Sequence, residues 1–119
     1  MNKLKLSGEI QTKEFVLRKT PEGVPVTSFL LKVKRQNKRN SKAFKDKYDI
    51  FTIVCWNDIA ERVVETLKFG MNIYVEGAIQ TGRRKLKGYV IYKDGKEDPN
   101  FQLPFCEVHA HDIRHMENL

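Results

Sequence analysis

Apolar and polar residues alternate with a period of two through most of this chain, and only one segment changes to a helical period. Side chains of a strand point alternately to its two faces, so this pattern predicts strands with one buried face and one exposed face. The helical segment, residues 58–69, carries its apolar residues on one side and lies between the third and fourth predicted strands. Such a chain is restricted to an all-β fold that packs a single helix against its sheet.

Glycine and turn residues divide the alternating pattern into strands. A strong turn signal lies at residues 20–23, and another cluster of turn residues lies at 93–100. Gly8 and Gly77 are expected to bend the strands that contain them. Strands are predicted over residues 4–10 with 15–18 as a candidate extension, 26–34, 48–56 and 71–81, followed by a long hairpin with arms at 86–92 and 101–113.

The helix has its own start and stop signals. Asn57 or Asp58 is expected to cap its first turn, and Gly70 to end it. The resulting order of elements is three strands, a helix and two strands. This order is that of the OB-fold, a five-stranded barrel. We therefore predict an all-β OB-fold barrel with one helix between strands 3 and 4 and with long basic hairpin loops. The 119 residues suit a single domain of this kind, covering residues 1–119.

Positive charge is concentrated in two segments. The net charge is +7, and residues 32–47 hold eight basic residues against one acid, while residues 83–93 hold five basic residues and no acid. Such clusters favour a polyanionic partner, either nucleic acid or an anionic membrane surface. A mean hydropathy of -0.53 argues against membrane insertion. The amino terminus lacks the apolar core of a secretion signal, which predicts a cytoplasmic protein.

The only tryptophan lies between these two basic segments. Alternation along residues 51–56 puts Ile53 and Cys55 on one face, and Val54 and Trp56 on the other. Only one of these faces is needed for the core, and Cys55 is interpreted as a small buried residue of that face. A flat indole beside concentrated positive charge suits an unpaired nucleic-acid base.

Several segments, in this order and spacing, resemble the bacterial single-stranded-DNA-binding proteins over nearly the whole chain. No single segment is specific, but their combination is. They are residues 2–8, 51–56 with the following 59–61, then 68–70, 73–77 with Ile79 and Thr81, and finally 107–113. The resemblance implies a homo-oligomer of OB-folds, usually a tetramer although a dimer stays open, that coats unpaired DNA without sequence preference during replication, repair or recombination.

The chain departs from this family at the positions where bases usually stack on aromatic rings. These positions hold Asn37, Ile50, Trp56 and Arg84, so only Trp56 keeps a ring. One stacked base contributes roughly 1–3 kcal/mol, so binding would be weakened unless other rings compensate. The candidate replacements are Phe44, Tyr48, Tyr89 and Tyr92.

The phosphates of a bound strand are expected to meet the two basic segments, which we predict to be loops. Contacts of this kind carry no sequence information. The candidate phosphate-binding residues are Lys32, Lys34, Arg35, Lys38, Arg39, Lys42, Lys45, Lys47, Arg83, Arg84, Lys85 and Lys87.

The family's members usually continue into a flexible linker with an acidic tip that recruits replication and repair enzymes. This sequence stops at Leu119, which predicts that recruitment by such a tip does not occur. A second resemblance is therefore considered, to primosomal replication protein N, a dimeric OB-fold protein of replication restart that binds DNA through lysines of a long hairpin loop. The basic residues from Arg83 to Lys87 are similar to that solution.

Two other classes of function are weighed against DNA binding. Catalysis needs a convergent set of groups, yet the acids are scattered and the histidines crowd into the last strand, so we predict neither an enzyme nor a cofactor. His109 and His111 share a strand face, but without a third ligand nearby they are interpreted as surface imidazoles at a subunit contact and not as a metal site. An RNA-binding OB module is the remaining alternative.

Overall fold

A computed structural model describes residues 1–36, 47–84, 92–97 and 102–116 of the chain, and the structural statements below concern these residues. In chain order its elements are β1 (Leu4–Ile10), β2 (Arg18–Lys19), β3 (Pro25–Lys34), β4 (Tyr48–Trp56), α1 (Asn57–Thr66), β5 (Asn72–Arg84), β6 (Tyr92–Lys93), β7 (Lys96–Glu97) and β8 (Leu103–His115).

The main sheet closes on itself. Its order is β1-β5-β8-β4-β3-β2, and an additional pairing of β1 with β3 completes a ring of five strands with β2 attached at the outside. Neighbouring strands are antiparallel except β4 and β8, which run parallel. This ring and its single helix confirm the predicted all-β OB-fold.

The core fills the inside of the ring and confirms the faces assigned from alternation. Phe29, Leu31, Ile53, Cys55 and Val75 are all buried. Each large apolar side chain removed from water in this way stabilises the fold by about 1.5–3 kcal/mol. Helix α1 adds Ala60 and Val63 to the same core, and Leu67, directly after the helix, is buried there as well.

Two glycines allow strands to approach each other where the ring bends. At Gly8 a Cβ atom would overlap with the carbonyl oxygen of Lys32, at the point where β1 leaves β5 and begins to pair with β3. At Gly77 a Cβ atom would overlap with the carbonyl oxygen of His109, next to the register shift between Glu76 and Gly77. Both positions therefore require glycine, as expected for strands that bend or bulge.

The helix differs from the prediction at both ends. Trp56 is the N-cap residue, but its side chain makes no capping hydrogen bond to the helix, and Asn57 is the first helical residue with a φ of 57°. Neither Asn57 nor Asp58 caps the helix, because the chain turns sharply at Asn57, a residue type that tolerates left-handed backbone. The helix ends at Thr66 and not at Phe69, since Leu67 returns to an extended conformation and is buried.

Three strand predictions also need correction. Residues 15–18 do not extend β1; the chain reaches β2 only at Arg18, where it pairs with β3. Strand β5 continues to Arg84, three residues beyond its predicted end, so Arg83 and Arg84 belong to a strand and not to a loop. The predicted second hairpin arm, residues 101–113, is strand β8 over Leu103–His115, and it pairs with β5. The predicted first arm of the hairpin is residues 86–92. Of these, residues 86–91 lie outside the described residues, and Tyr92 pairs with Glu97.

No helix within the described ranges is long and apolar enough to cross a membrane.

Candidate nucleic-acid interface

Four neighbouring strands of the ring present one continuous outward surface. Residues directly opposite one another on paired strands point to the same side, so the register defines which side chains share this surface. We call it the Trp56 face; it comprises Val26, Ser28, Leu30, Lys32, Lys34, Tyr48, Ile50, Thr52, Val54, Trp56, Ala78, Gln80, Gly82, Arg84, Leu103, Phe105, Glu107 and His109.

Large apolar side chains are exposed on the Trp56 face next to cations. Ile50 is 54% exposed and Trp56 37% exposed, and Leu30, Tyr48 and Leu103 are also exposed. Apolar rings and chains of this kind have no role in the core, because their strands bury the opposite face. Exposed apolar surface rimmed by polar groups is typical of a binding surface.

Trp56 is held at the junction of β4 and α1. Its indole stacks with the His109 ring at a centroid separation of 6.0 Å and an angle of 22°. The indole Nε1 donates a hydrogen bond of 3.0 Å to His109 Nδ1, and His109 Nε2 lies 2.9 Å from Glu107 Oε1. The structure therefore places the predicted stacking residue at the surface, in a fixed orientation.

A cleft of about 570 Å³ opens beside the indole. Trp56 and Asp58 line it from β4 and α1, while Gln80, His109 and His111 line it from β5 and β8. Its volume lies within the range found for small-ligand sites, which also covers a single nucleobase. The cleft is open to solvent, and three of its lining residues, Trp56, Gln80 and His109, belong to the Trp56 face.

Tyr48 and Lys32 form a second contact on the same face. The Nζ atom of Lys32 lies 4.3 Å from the centroid of the Tyr48 ring. The two residues are diagonal neighbours, since Lys34 stands directly opposite Tyr48 and Lys32 opposite Ile50. The lysine therefore covers one side of the Tyr48 ring, and Tyr48 is 47% exposed.

Arg35 is bound to an acid. Its Nε donates to Asp49 Oδ2 at 3.1 Å, and its Nη2 donates to Asp49 Oδ1. The hydrogen bond from the guanidinium lowers the pKa of the Asp49 carboxyl and raises the pKa of Arg35. The backbone N–H of Arg35 also donates to the carbonyl of Lys47 at 2.8 Å, so this pair lies at the base of the first basic segment. Arg35 is thus less available to phosphate than its sequence position suggests.

Arg84 and Arg83 lie on opposite sides of β5. Arg84 stands opposite Leu103 on the Trp56 face, and its guanidinium carbon lies 4.4 Å from the centroid of the Phe105 ring. Phe105 in turn lies over Gly82, where a Cβ atom would come within 2.5 Å of the ring. Arg83 alternates to the other side of the strand. Only one of these two neighbours can meet a strand of DNA on the Trp56 face.

Several predicted site residues lie outside the described residues. They comprise two of the candidate stacking rings and six of the candidate phosphate contacts: Phe44, Tyr89, Lys38, Arg39, Lys42, Lys45, Lys85 and Lys87. Tyr92 lies in β6. The residues that the structure brings together on the Trp56 face are Trp56, Tyr48, Lys32, Lys34 and Arg84.

Sequence reasoning missed the roles of His109, Glu107 and Phe105. His109 contacts the indole through the parallel pairing of β4 with β8, in which Val54 stands opposite His109. The spacing of Glu107, His109 and Phe105 at alternate positions of one strand was a visible signal that they share a face. The contact of His109 with Trp56, and that of Phe105 with Arg84, depend on a register between strands that no local pattern reveals.

A second polar group lies on the outer side of β1 and β5, near the start of β5 and beyond the residues of the Trp56 face. The Tyr74 hydroxyl donates to Glu76 Oε1 at 2.6 Å, and Lys5 Nζ lies 3.6 Å from the same oxygen. The hydrogen bond raises the pKa of Tyr74 and lowers the pKa of Glu76. The Glu76 carboxylate is thus shared between the Tyr74 hydroxyl and the Lys5 ammonium.

Known proteins resemble this chain over most of its length. The model of the single-strand binding protein family matches residues 1–90. A single-stranded DNA-binding protein of Caldanaerobacter subterraneus subsp. tengcongensis is 40% identical over 81 residues, which are 68% of this chain and 52% of that protein. Single-stranded DNA-binding protein 3 of Listeria innocua is 33% identical over 118 residues, covering 99% of this chain and 65% of that protein. A single-stranded DNA-binding protein of Bacillus cereus is 34% identical over 119 residues, covering 98% and 61%. This chain thus spans about half to two thirds of the length of these relatives.

Proposed function

This chain belongs to the single-strand binding protein family, and we propose that it binds single-stranded DNA without sequence preference across the Trp56 face. The observation that carries the proposal is an exposed, hydrogen-bonded indole on a sheet surface that also carries exposed apolar residues and cations. Bases have flat apolar faces that stack on aromatic rings, while their phosphates attract lysine and arginine.

The proposed path of the strand runs from the end of β5 to the end of β3. At one end Arg84 is held over Phe105, at the centre Trp56 lies beside the cleft, and at the other end Lys32 lies over Tyr48. Stacking is sequence-tolerant because every base has a π-face, and phosphate contacts are alike for all nucleotides. These contacts support binding that does not depend on sequence.

We further propose that the protein is a homo-oligomer, a tetramer or a dimer, and that it acts in the bacterial cytoplasm on DNA exposed during replication, repair or recombination. Membership of the family and the names of the relatives support this assignment. Light scattering of the purified protein separates the two assemblies, and a dimer would favour a role like that of primosomal replication protein N.

The direct test of DNA binding uses a labelled oligodeoxythymidine and measures anisotropy at several salt concentrations. If six phosphates are contacted, the logarithm of affinity falls with the logarithm of salt at a slope near about -4. Duplex DNA and RNA of the same length serve as competitors. An affinity that does not change with salt contradicts the proposal, and tighter binding of RNA would instead favour an RNA-binding module.

The contribution of stacking is tested by Trp56→Ala. We expect this variant to bind more weakly by roughly 1–3 kcal/mol, with the same salt slope, because a ring and no charge has been removed. Phe69→Ala is the matched control: Phe69 is an exposed ring with a lysine 5.5 Å from its centroid, but it lies outside the Trp56 face. Equal effects of the two substitutions would exclude a specific role for Trp56.

A further inference from the structure

The hydrogen bonds of His109 determine which of its nitrogens carries the proton. The indole Nε1 of Trp56 can only donate, so His109 Nδ1, 3.0 Å away, must accept. The proton of the neutral ring is therefore on Nε2, which donates to Glu107 Oε1 at 2.9 Å. Glu107 thus selects the tautomer that Trp56 requires.

This arrangement is packed as well as hydrogen-bonded. The side chain of His109 is only 12% exposed and that of Glu107 24% exposed, whereas Trp56 is 37% exposed. The imidazole lies beside the indole with an angle of 22° between the rings, which brings its Nδ1 within hydrogen-bond distance of the indole Nε1. The two less exposed residues consequently form a support for the more exposed one.

We propose that His109, oriented by Glu107, is a positioning residue that fixes the Trp56 indole for base stacking, and that it does so only while its imidazole is neutral. The inference rests on the proposed function, since it assigns the residue that prepares the stacking ring of that same site. It also explains why an acid, Glu107, is present on a face that is expected to meet phosphates.

Protonation of His109 would break the hydrogen bond from Trp56. Nδ1 would then carry a proton that points at the indole N–H, and two donors cannot bond each other. Among the residues that the structure describes, the titratable groups that contact the imidazole or line its cleft are Glu107 on its own strand, Asp58 from α1 and His111 from β8. The neighbours from β4 and β5, which are Val54, Ala78 and Gln80, are uncharged.

The effect of acid on DNA binding therefore has two opposite contributions. A histidine that becomes positive should strengthen binding to phosphates. Loss of the hydrogen bond from Trp56 should weaken stacking. A fall in affinity when His109 is protonated therefore indicates positioning of Trp56, whereas a rise indicates attraction of phosphates by the added charge.

The experiment compares three variants with the wild-type protein. His109→Gln keeps an oxygen that can accept the indole N–H, and the glutamine side chain does not become charged. His109→Phe keeps a ring that can stack but has no acceptor. His115→Gln is the matched control, because it removes an exposed histidine of the same strand that lies outside the Trp56 face. Circular dichroism establishes that each variant is folded.

The first readout is the emission of Trp56 in the absence of DNA, followed as the pH is lowered until His109 is protonated. Trp56 is the only tryptophan, so its emission is specific. We expect a transition in the wild-type protein and in His115→Gln, and none in His109→Gln. A transition that persists in His109→Gln overturns the inference.

The second readout is affinity for oligodeoxythymidine at about pH 7.5. We expect His109→Gln to bind within about twofold of the wild-type protein and His109→Phe to bind about three- to tenfold more weakly, as for the loss of one hydrogen bond. Wild-type affinity and emission in His109→Phe would contradict the inference. A wild-type protein that binds no single strand refutes the proposed function instead, and the emission of the free protein still decides whether His109 positions Trp56.

Discussion

The guanidinium of Arg84 lies over the ring of Phe105, with 4.4 Å between the guanidinium carbon and the ring centroid. A cation held over a ring in this way gains about 0.5–1 kcal/mol at an exposed site and loses less freedom when it binds a ligand. Arg84→Lys keeps the positive charge but replaces the planar guanidinium with an ammonium group. We expect it to weaken DNA binding about two- to fivefold while leaving the salt slope unchanged, measured by anisotropy at three salt concentrations. Arg83→Lys, on the other side of β5, is the control, and an equal effect there would contradict this role.

Removing the acid that binds Arg35 should strengthen binding to DNA. In Asp49→Asn the guanidinium loses its carboxylate partner and can meet a phosphate, so the salt slope should steepen by about 0.7, the value for one contact with single-stranded DNA. Asp112→Asn makes the same change of charge in an exposed pair, with Arg114 Nε 2.9 Å from the carboxylate, outside the Trp56 face. If both variants steepen the slope equally, net charge and not Arg35 is responsible.

Glu76 should give the folded protein a stability that depends on acid. The hydrogen bond from Tyr74 lowers its pKa, partial desolvation opposes this, and Lys5 adds to the lowering. A carboxyl with a lowered pKa stabilises the fold above its unfolded pKa, about 4.3, and this contribution is lost as pH falls through the folded pKa. Glu76→Gln should therefore melt below the wild-type protein at pH 7, and the difference in Tm should shrink as the pH falls below about 4. A difference that is the same at both pH values would show that the charge of Glu76 contributes nothing.

Asn57 should be needed for its backbone conformation and not as a helix cap. Its φ of 57° costs a β-branched residue about 1–2 kcal/mol, whereas glycine adopts it freely. We expect Asn57→Val to lower the free energy of unfolding by about that amount and Asn57→Gly to change it little, measured by urea denaturation. Asn72→Val, at an exposed strand position, controls for the loss of an asparagine. A large loss in Asn57→Gly would instead indicate a role for the side chain.

The two cysteines should differ in reactivity towards thiol reagents. Cys55 is buried, and burial raises the pKa of its thiol to about 12, whereas Cys106 is exposed. Only the thiolate reacts, so iodoacetamide at about pH 8 should add one group to the folded protein, at Cys106. Peptide mass spectrometry locates the adduct, and in denaturant both cysteines should react. Labelling of Cys55 in the folded protein would contradict the assigned faces of β4.

The fold could be predicted because each strand carries its pattern locally. Strand β4 has the predicted bounds, and alternation correctly separated buried Ile53 and Cys55 from exposed Trp56. The helix ends were less predictable, because the chain turns on the left-handed backbone of Asn57 and leaves the helix to bury Leu67. Those features depend on packing that a capping pattern does not contain.

The interface could be predicted only in part. The residue types were informative for Trp56, but its support by His109 depends on two residues 53 positions apart, which meet through the parallel register of β4 and β8. Similarly, the sequence predicted Arg35 as a phosphate-binding residue, although its guanidinium binds Asp49. Local patterns assign faces to strands, whereas contacts between strands depend on register.

The opposite placement of Arg83 and Arg84 gives the ribbon of β5 and β8 two surfaces that can change independently during evolution. A basic residue gained at Gln80 would join the Trp56 face, while one gained at Thr81 would join the opposite face beside Cys106. A shift of one position in the sequence therefore transfers a charge from one surface to the other. Two related proteins with the same number of basic residues in this strand can thus differ in the surface on which those charges lie.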